Sequence, residues 1–201
     1  MKMLKAILVM AAVLVLLPAT SYAIVDFGAY GGYGFAGKLD TGELATNTVE
    51  KQGKSMSGWE YGLFGHLNTS IAGIVGVGVG PYYQAAPMQY ELEGTKYDAK
   101  RVAYGVDLMV SLELIPIIHP YLREGVAIKE QIKVEVPSAV GMTTKTTNDR
   151  YFRSWYFGFG CAFTVAPMVR VFGEYLYTTS KQENKVEIKG NAVHAGAMLK
   201  L

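Results

Sequence analysis

The residues able to do chemistry in this 201-residue chain are charges set singly among apolar and small neighbours. Asp107, Glu113, Arg123, Arg170, Glu174 and His194 each take the parity opposite to nearby Val, Leu, Tyr or Phe. Asp26, Glu60, His66 and Lys200 follow the same rule. On extended strands successive side chains point to opposite faces, so these charges share a face that excludes the bulky apolar residues. Both signs are present, and Arg123 and Arg170 have Asp107, Glu113 and Glu174 as partners. The chemistry is electrostatic: paired charges either plug an interior or form a gate in which a salt bridge changes partner.

Other chemistries have less to stand on. Three dispersed histidines and one cysteine make a poor metal set. Cys161 has no second cysteine to pair with and reads as a small lipid- or core-facing residue, with a reactive thiol as the lesser alternative. The run Gly76-Val77-Gly78-Val79-Gly80 opens no helix, so it is not a phosphate loop. Without Lys2 and Lys5 the basic count falls from 19 to 17 and equals the acidic count of 17. A neutral chain has neither a nucleic-acid footprint nor a polybasic membrane patch.

The elements that position the charges are strands. From Ile71 to Gly80 the chain reads IAGIVGVGVG, with Val75, Val77 and Val79 on one face and glycine on the other. Eight alternating segments are predicted at 24–35, 58–67, 71–84, 99–114, 120–133, 150–165, 168–180 and 186–201. The connections alternate in kind. Polar loops are expected at 38–55, 87–96, 136–148 and 181–185. Short turns are expected at 68–70, 115–118 and 166–167. Long loops at one end and tight turns at the other suit a transmembrane barrel, whose closure leaves no unpaired edge in lipid. The apolar parity must face outward, because an eight-stranded lumen holds few large side chains. A soluble lipid-binding barrel would need a polar outer band instead. Glycine and tyrosine, 23 and 14 residues, suit a crowded inside and amphipathic rims.

With odd strands running outward, Tyr33, Phe35, Trp59, Tyr61, Tyr83, Trp155, Tyr175 and Tyr177 collect toward the loop end as an interfacial girdle. One strand breaks the pattern. Arg123 and Lys129 share the polar parity, but Glu124 takes the apolar one beside Leu122 and Val126. Either Glu124 lies near an interface or a bulge shifts the register there. Residues 1–23 read as a secretory signal peptide: Lys2 and Lys5, an apolar run, Pro18, and Ser21-Tyr22-Ala23 as the cleavage site. Residues 24–201 then form one barrel domain.

The stretch Tyr156 to Tyr177, YFGFGCAFTVAPMVRVFGEYLY, joins a glycine-rich strand, a tight turn and a strand ending in Gly-Glu-Tyr-x-Tyr. On it and on the alternation throughout, the chain resembles the small eight-stranded outer-membrane β-barrel proteins of Gram-negative bacteria, the class of the OmpA transmembrane domain and OmpX. The resemblance implies an all-β, up-and-down antiparallel barrel, exported through the periplasm and inserted by the outer-membrane assembly machinery. Such proteins commonly end in an aromatic residue, whereas this chain ends in Leu201. Barrels of this kind with lipid A hydrolase activity use a His-x-Ser pair, and neither His66, His119 nor His194 has serine at that offset.

The expected role is therefore not enzymatic and needs no cofactor. It is structural or surface-directed, in a monomer with a charge-plugged lumen, with the long loops as a contact surface for an outside ligand. A narrow channel for small or hydrophobic solutes is the alternative. Lys96, Lys100, Arg101, Arg150 and Arg153 are expected near the outer rim, where lipopolysaccharide phosphates are partners.

Overall fold

The computed structural model describes residues 24–40, 54–92, 94–138, 141–150, 153–182 and 186–201. The expected signal peptide, 1–23, lies outside the described residues, as do 41–53 of the first long loop. The described residues form nine strands and no helix: β1 (Ile24–Asp40), β2 (Lys54–Ile71), β3 (Val75–Leu92), β4 (Thr95–Leu112), β5 (Ile118–Ser138), β6 (Gly141–Arg150), β7 (Ser154–Ala166), β8 (Val169–Lys181) and β9 (Glu187–Lys200). Every pairing is antiparallel, neighbours in the chain pair except that β7 pairs with β5, and β9 returns to β1 to close the barrel. β7 pairs with the first half of β5 and β6 with its second half, so β6 and β7 together make one of eight staves.

Two of the expected polar loops, 87–96 and 136–148, are largely strand, and a third, 38–55, is strand at both of its described ends. β3 and β4 pair out to Leu92 and Thr95 through Gly94, whose φ of 78° suits the turn. β5 and β6 pair out to Ser138 and Gly141, and β1 and β2 out to Leu39 and Lys54. Polar outward residues hid the alternation, because Met88, Tyr90, Ala99, Ile132 and Val134 continue it on the inward face. At the other end, the expected turn at 68–70 is strand. The chain reverses at Ala72 and Gly73, with φ of 53° and 68° and an Ile74 N–H to Ile71 carbonyl bond of 3.0 Å. Two consecutive positive φ values match the twist of a two-residue hairpin.

Two bulges reset the parity. β1 gains one residue between Gly34 and Gly37, with Ala36 at φ 50°, against both of its neighbours. β5 gains one at Ile128 against β4. Each extra residue switches which parity points inward. Leu39 thereby enters the interior of β1, and Glu130, Ile132 and Val134 enter that of β5. Lys129, expected to share the inward face of Arg123, is turned out by the Ile128 bulge.

The interior holds two packed clusters. One contains Tyr30, Phe64, Tyr82, Met109, Tyr121, Tyr156, Phe172 and Met198. Its rings fit because inward glycines on neighbouring strands leave room: a Cβ on Gly62, Gly125 or Gly160 would fall 2.4, 2.3 or 2.6 Å from Tyr30, Tyr156 or Tyr121. The second, toward the long hairpins, contains Leu39, Met56, Met88, Tyr90, Ile132, Val134, Val186 and Ile188. Outside the first cluster the wall is apolar and exposed, with Phe27, Leu63, Leu67, Leu122, Phe159, Phe163, Val171 and Leu199 each 40–60% accessible. So broad an apolar band belongs against lipid.

Candidate functional site: the charged lumen

Arg123 of β5 is the centre of the lumen. Its Nε–H donates to Asp107 of β4 at 2.7 Å and its Nη1 to Glu174 of β8 at 3.1 Å. The guanidinium carbon lies 4.4 Å from the Phe64 ring centre and 5.4 and 5.5 Å from those of Tyr30 and Tyr156. Three aromatic faces around one cation replace part of the hydration it has lost, each adding ~0.5–2 kcal/mol.

From Arg123 the network runs both ways. Asp107 accepts the Tyr156 hydroxyl and lies 2.7 Å from His66 Nε2. Glu174 accepts the Tyr121 hydroxyl at 3.1 Å and meets His194 Nδ1 at 3.2 Å. His194 Nε2 reaches Glu60 at 3.0 Å, and its ring stacks on Tyr30 with centroids 4.6 Å apart. Both nitrogens of His194 thus face carboxylates. An imidazole nitrogen satisfies a carboxylate by donating, so either the ring carries two protons or one carboxyl carries the second. Glu60 accepts from Gln84 at 2.8 Å, and Gln84 accepts from Arg101 at 2.7 Å. Arg101 pairs with Glu130, which also accepts the Ser154 and Ser180 hydroxyls and the Gln182 amide. The chain of bonds spans the interior from β2 to β9.

A separate group sits at the short-turn end. Arg170 grips Glu113 through two nitrogens, at 2.9 and 3.2 Å, and Ser111 donates to the same carboxylate at 2.9 Å. His119 Nδ1 lies 3.1 Å from Glu113, and His119 Nε2 lies 2.9 Å from Thr164. Beside them a cavity of about 100 Å³ is lined by Asp26, Asn68, Ser111, Arg170 and Lys200.

The six charges singled out in the sequence therefore fall into two groups. Asp107, Arg123, Glu174 and His194 lie in the central network, and Glu113 and Arg170 in the end group. Arg101 corrects the expectation for the outer rim. It is 3% exposed inside the barrel, on the parity it shares with Asp107. That parity was a signal available in the sequence. Glu130 was missed because the Ile128 bulge is invisible to simple alternation. The girdle residues Tyr33, Trp59, Tyr61, Tyr83, Trp155, Tyr175 and Tyr177 stand on the outer wall. Tyr33 meets Trp59 edge-on at 5.6 Å, and Trp155 meets Tyr177 at 6.0 Å. Tyr104 joins them at 5.1 Å from Tyr83. Glu124 is outward and exposed, level with Leu108 and Phe157, and the bulge lies beyond it.

Residues 6–200 match the family model described as outer membrane protein beta-barrel domain. The chain belongs to that family. It is an outer-membrane barrel of the type found in Gram-negative bacteria. Similar solved structures include Neisserial surface protein A, with TM-score 0.53, 13% identity, and 90% of this chain and 99% of that one covered. The outer membrane protease OmpT of Escherichia coli gives TM-score 0.52 and 8% identity over 90% and 98% of the two chains. The outer membrane protein OprG of Pseudomonas aeruginosa gives 0.50 and 11% over 90% and 97%. At these identities the likeness is one of fold. No curated protein matches the sequence.

Proposed function

We propose that this barrel serves the bacterial envelope as a closed, monomeric structural element whose outward hairpins form a contact surface. The observation that supports it is the unbroken hydrogen-bonded network from Asp107 to Glu130, with an apolar cluster packed beyond it toward the hairpins. An interior filled by paired charges and then by hydrocarbon leaves the strands' outer surfaces and hairpins to do the work. This role requires no bond-making step and no cofactor. Its partners are the lipids of the outer membrane, a surface ligand met by the hairpins, and, during export through the periplasm, the assembly machinery.

The test is single-channel conductance of the refolded protein in a planar bilayer, with heat-modifiable migration as the check on folding. Wild type and Arg170→Ala are both expected to be silent, because Arg170 closes only the short-turn mouth and the Arg123 and Arg101 network lies beyond it. Discrete wild-type openings would sink this reading and leave a narrow channel in its place.

A further inference from the structure

An open cleft of about 630 Å³ lies on the outer wall of the hairpin extension, lined by Tyr33, Trp59, Pro87, Lys100, Lys133 and Glu135 among others. Lys100 of β4 and Lys133 of β5 are direct cross-strand partners. Like charges placed opposite one another repel and destabilise a strand pair. Both side chains are exposed, and neither ammonium has an ion-pair partner among the described residues. The two carboxylates of the cleft accept from its own lining and not from the lysines. Asp98 accepts the Gln89 amide at 3.0 Å, and Glu135 accepts the Asp98 backbone N–H at 3.3 Å.

The cleft is also polarised along the barrel axis. Asp98 and Glu135 lie two residues nearer the hairpin tips than Lys100 and Lys133. On the membrane side the cleft ends at Tyr33 and Trp59, 42% and 67% exposed, which belong to the aromatic girdle. Girdle aromatics sit at headgroup level. The paired ammonium groups therefore stand immediately above the outer-leaflet headgroups, where phosphate is the complementary charge.

We infer that this cleft binds a phosphorylated lipid headgroup of the outer leaflet, with phosphate held between Lys100 and Lys133 and Trp59 and Tyr33 against the lipid's upper hydrocarbon. The bound phosphate relieves the repulsion across the β4–β5 pair. The inference rests on the outer-membrane placement and is independent of whether the lumen conducts.

The test is native mass spectrometry of the full refolded protein titrated with bisphosphorylated lipid A, with enzymatically dephosphorylated lipid A, and with inorganic phosphate. Wild type is expected to retain the bisphosphorylated lipid about tenfold better than Lys100→Gln/Lys133→Gln does, since each lysine near the surface contributes to attraction for anionic lipid. Dephosphorylated lipid on wild type is expected to show the same loss. Lys96→Gln, remote from the girdle, and Lys100→Arg/Lys133→Arg are expected to match wild type. Equal retention by wild type and the double glutamine variant overturns the proposal. So does displacement of the lipid by millimolar inorganic phosphate, which would make this a free-anion site.

Discussion

The two halves of the barrel are built on opposite rules. At membrane depth the charges are inside, as Arg123, Asp107, Glu174 and His194, and hydrocarbon is outside, as Phe27, Leu63, Leu122 and Phe159. In the hairpin extension Leu39, Met88, Ile132 and Val134 are inside, while Lys38, Gln89, Asp98, Lys100 and Lys133 are outside. The same strands run through both. What changes is the medium around them: lipid makes an apolar exterior favourable, and water makes it costly. In β1 and β5 the change of rule is accompanied by a bulge, at Ala36 and at Ile128. An inserted residue lets a strand exchange its inward parity without breaking its ladder.

The largest effect should follow from reversing the parity of one of these strands beyond its bulge. Deleting Ile128 alone would only straighten the ladder, but deleting Ile128 and Lys129 together leaves β5 one residue short, so that alternation from Ala127 forces Gln131 and Lys133 inward and Ile132 and Val134 outward in the extension. Losing two buried aliphatic side chains at ~1.5–3 kcal/mol each, and burying Gln131 and Lys133 in their place, exceeds what a few hairpins can absorb. The extension should become protease-sensitive while the membrane half keeps its heat-modifiable migration. Resistance of both halves would show that the parity of β5 does not set the inversion. Next in size is Arg123→Met. It strands Asp107 and Glu174 in a closed interior and should cost about 3–5 kcal/mol in urea unfolding from micelles. Adding Asp107→Asn and Glu174→Gln should return much of that loss, because it removes the unpaired charges. If the triple variant is no better than Arg123→Met, the aromatic seat of the guanidinium matters more than its ion pairs.

The two halves were not equally legible. In the membrane half parity alone separates wall from lumen, since no charge stands on the outward parity of β4, β7 or β9 there. It also carries the information that Arg101, on the parity of Asp107, is internal and not at the rim beside Lys100. The extension read as loop because Thr, Lys and Gln dominate its outer face, and its inward residues are small in number and divided among β1, β2, β3, β4, β5 and β9. The bulges were illegible for a different reason. Alternation is a local rule, whereas an extra residue is defined only against the partner strand. Lys129 therefore looked internal and Glu130 did not.

Ile132→Ala probes the extension alone. Ile132 is fully buried in the apolar cluster, so truncation should cost about 2–4 kcal/mol of local stability. Hydrogen exchange should accelerate in β3, β4 and β5 beyond the girdle, with the membrane half unchanged. Equal acceleration in both halves would mean that the two cores unfold as one unit.

The smallest effect should come from Glu124, the residue that breaks the rule of its own half. It points outward between Leu108 and Phe157, at the level where Arg123 and Asp107 pair inside. A lipid-facing charge costs ~2–4 kcal/mol at the midplane for lysine or arginine, and less for a carboxylate. Glu124→Leu should therefore raise stability in a bilayer by about 1 kcal/mol and change nothing in the lumen. The measurement is urea unfolding from phosphatidylcholine vesicles, beside Lys100→Leu on the outer wall of the extension. There the neighbouring medium is water, and the same kind of exchange should bring no gain. If Glu124→Leu destabilises instead, the carboxylate is held by a partner on the lipid side. The wall at membrane depth would then have a polar function that the two-halves rule does not contain.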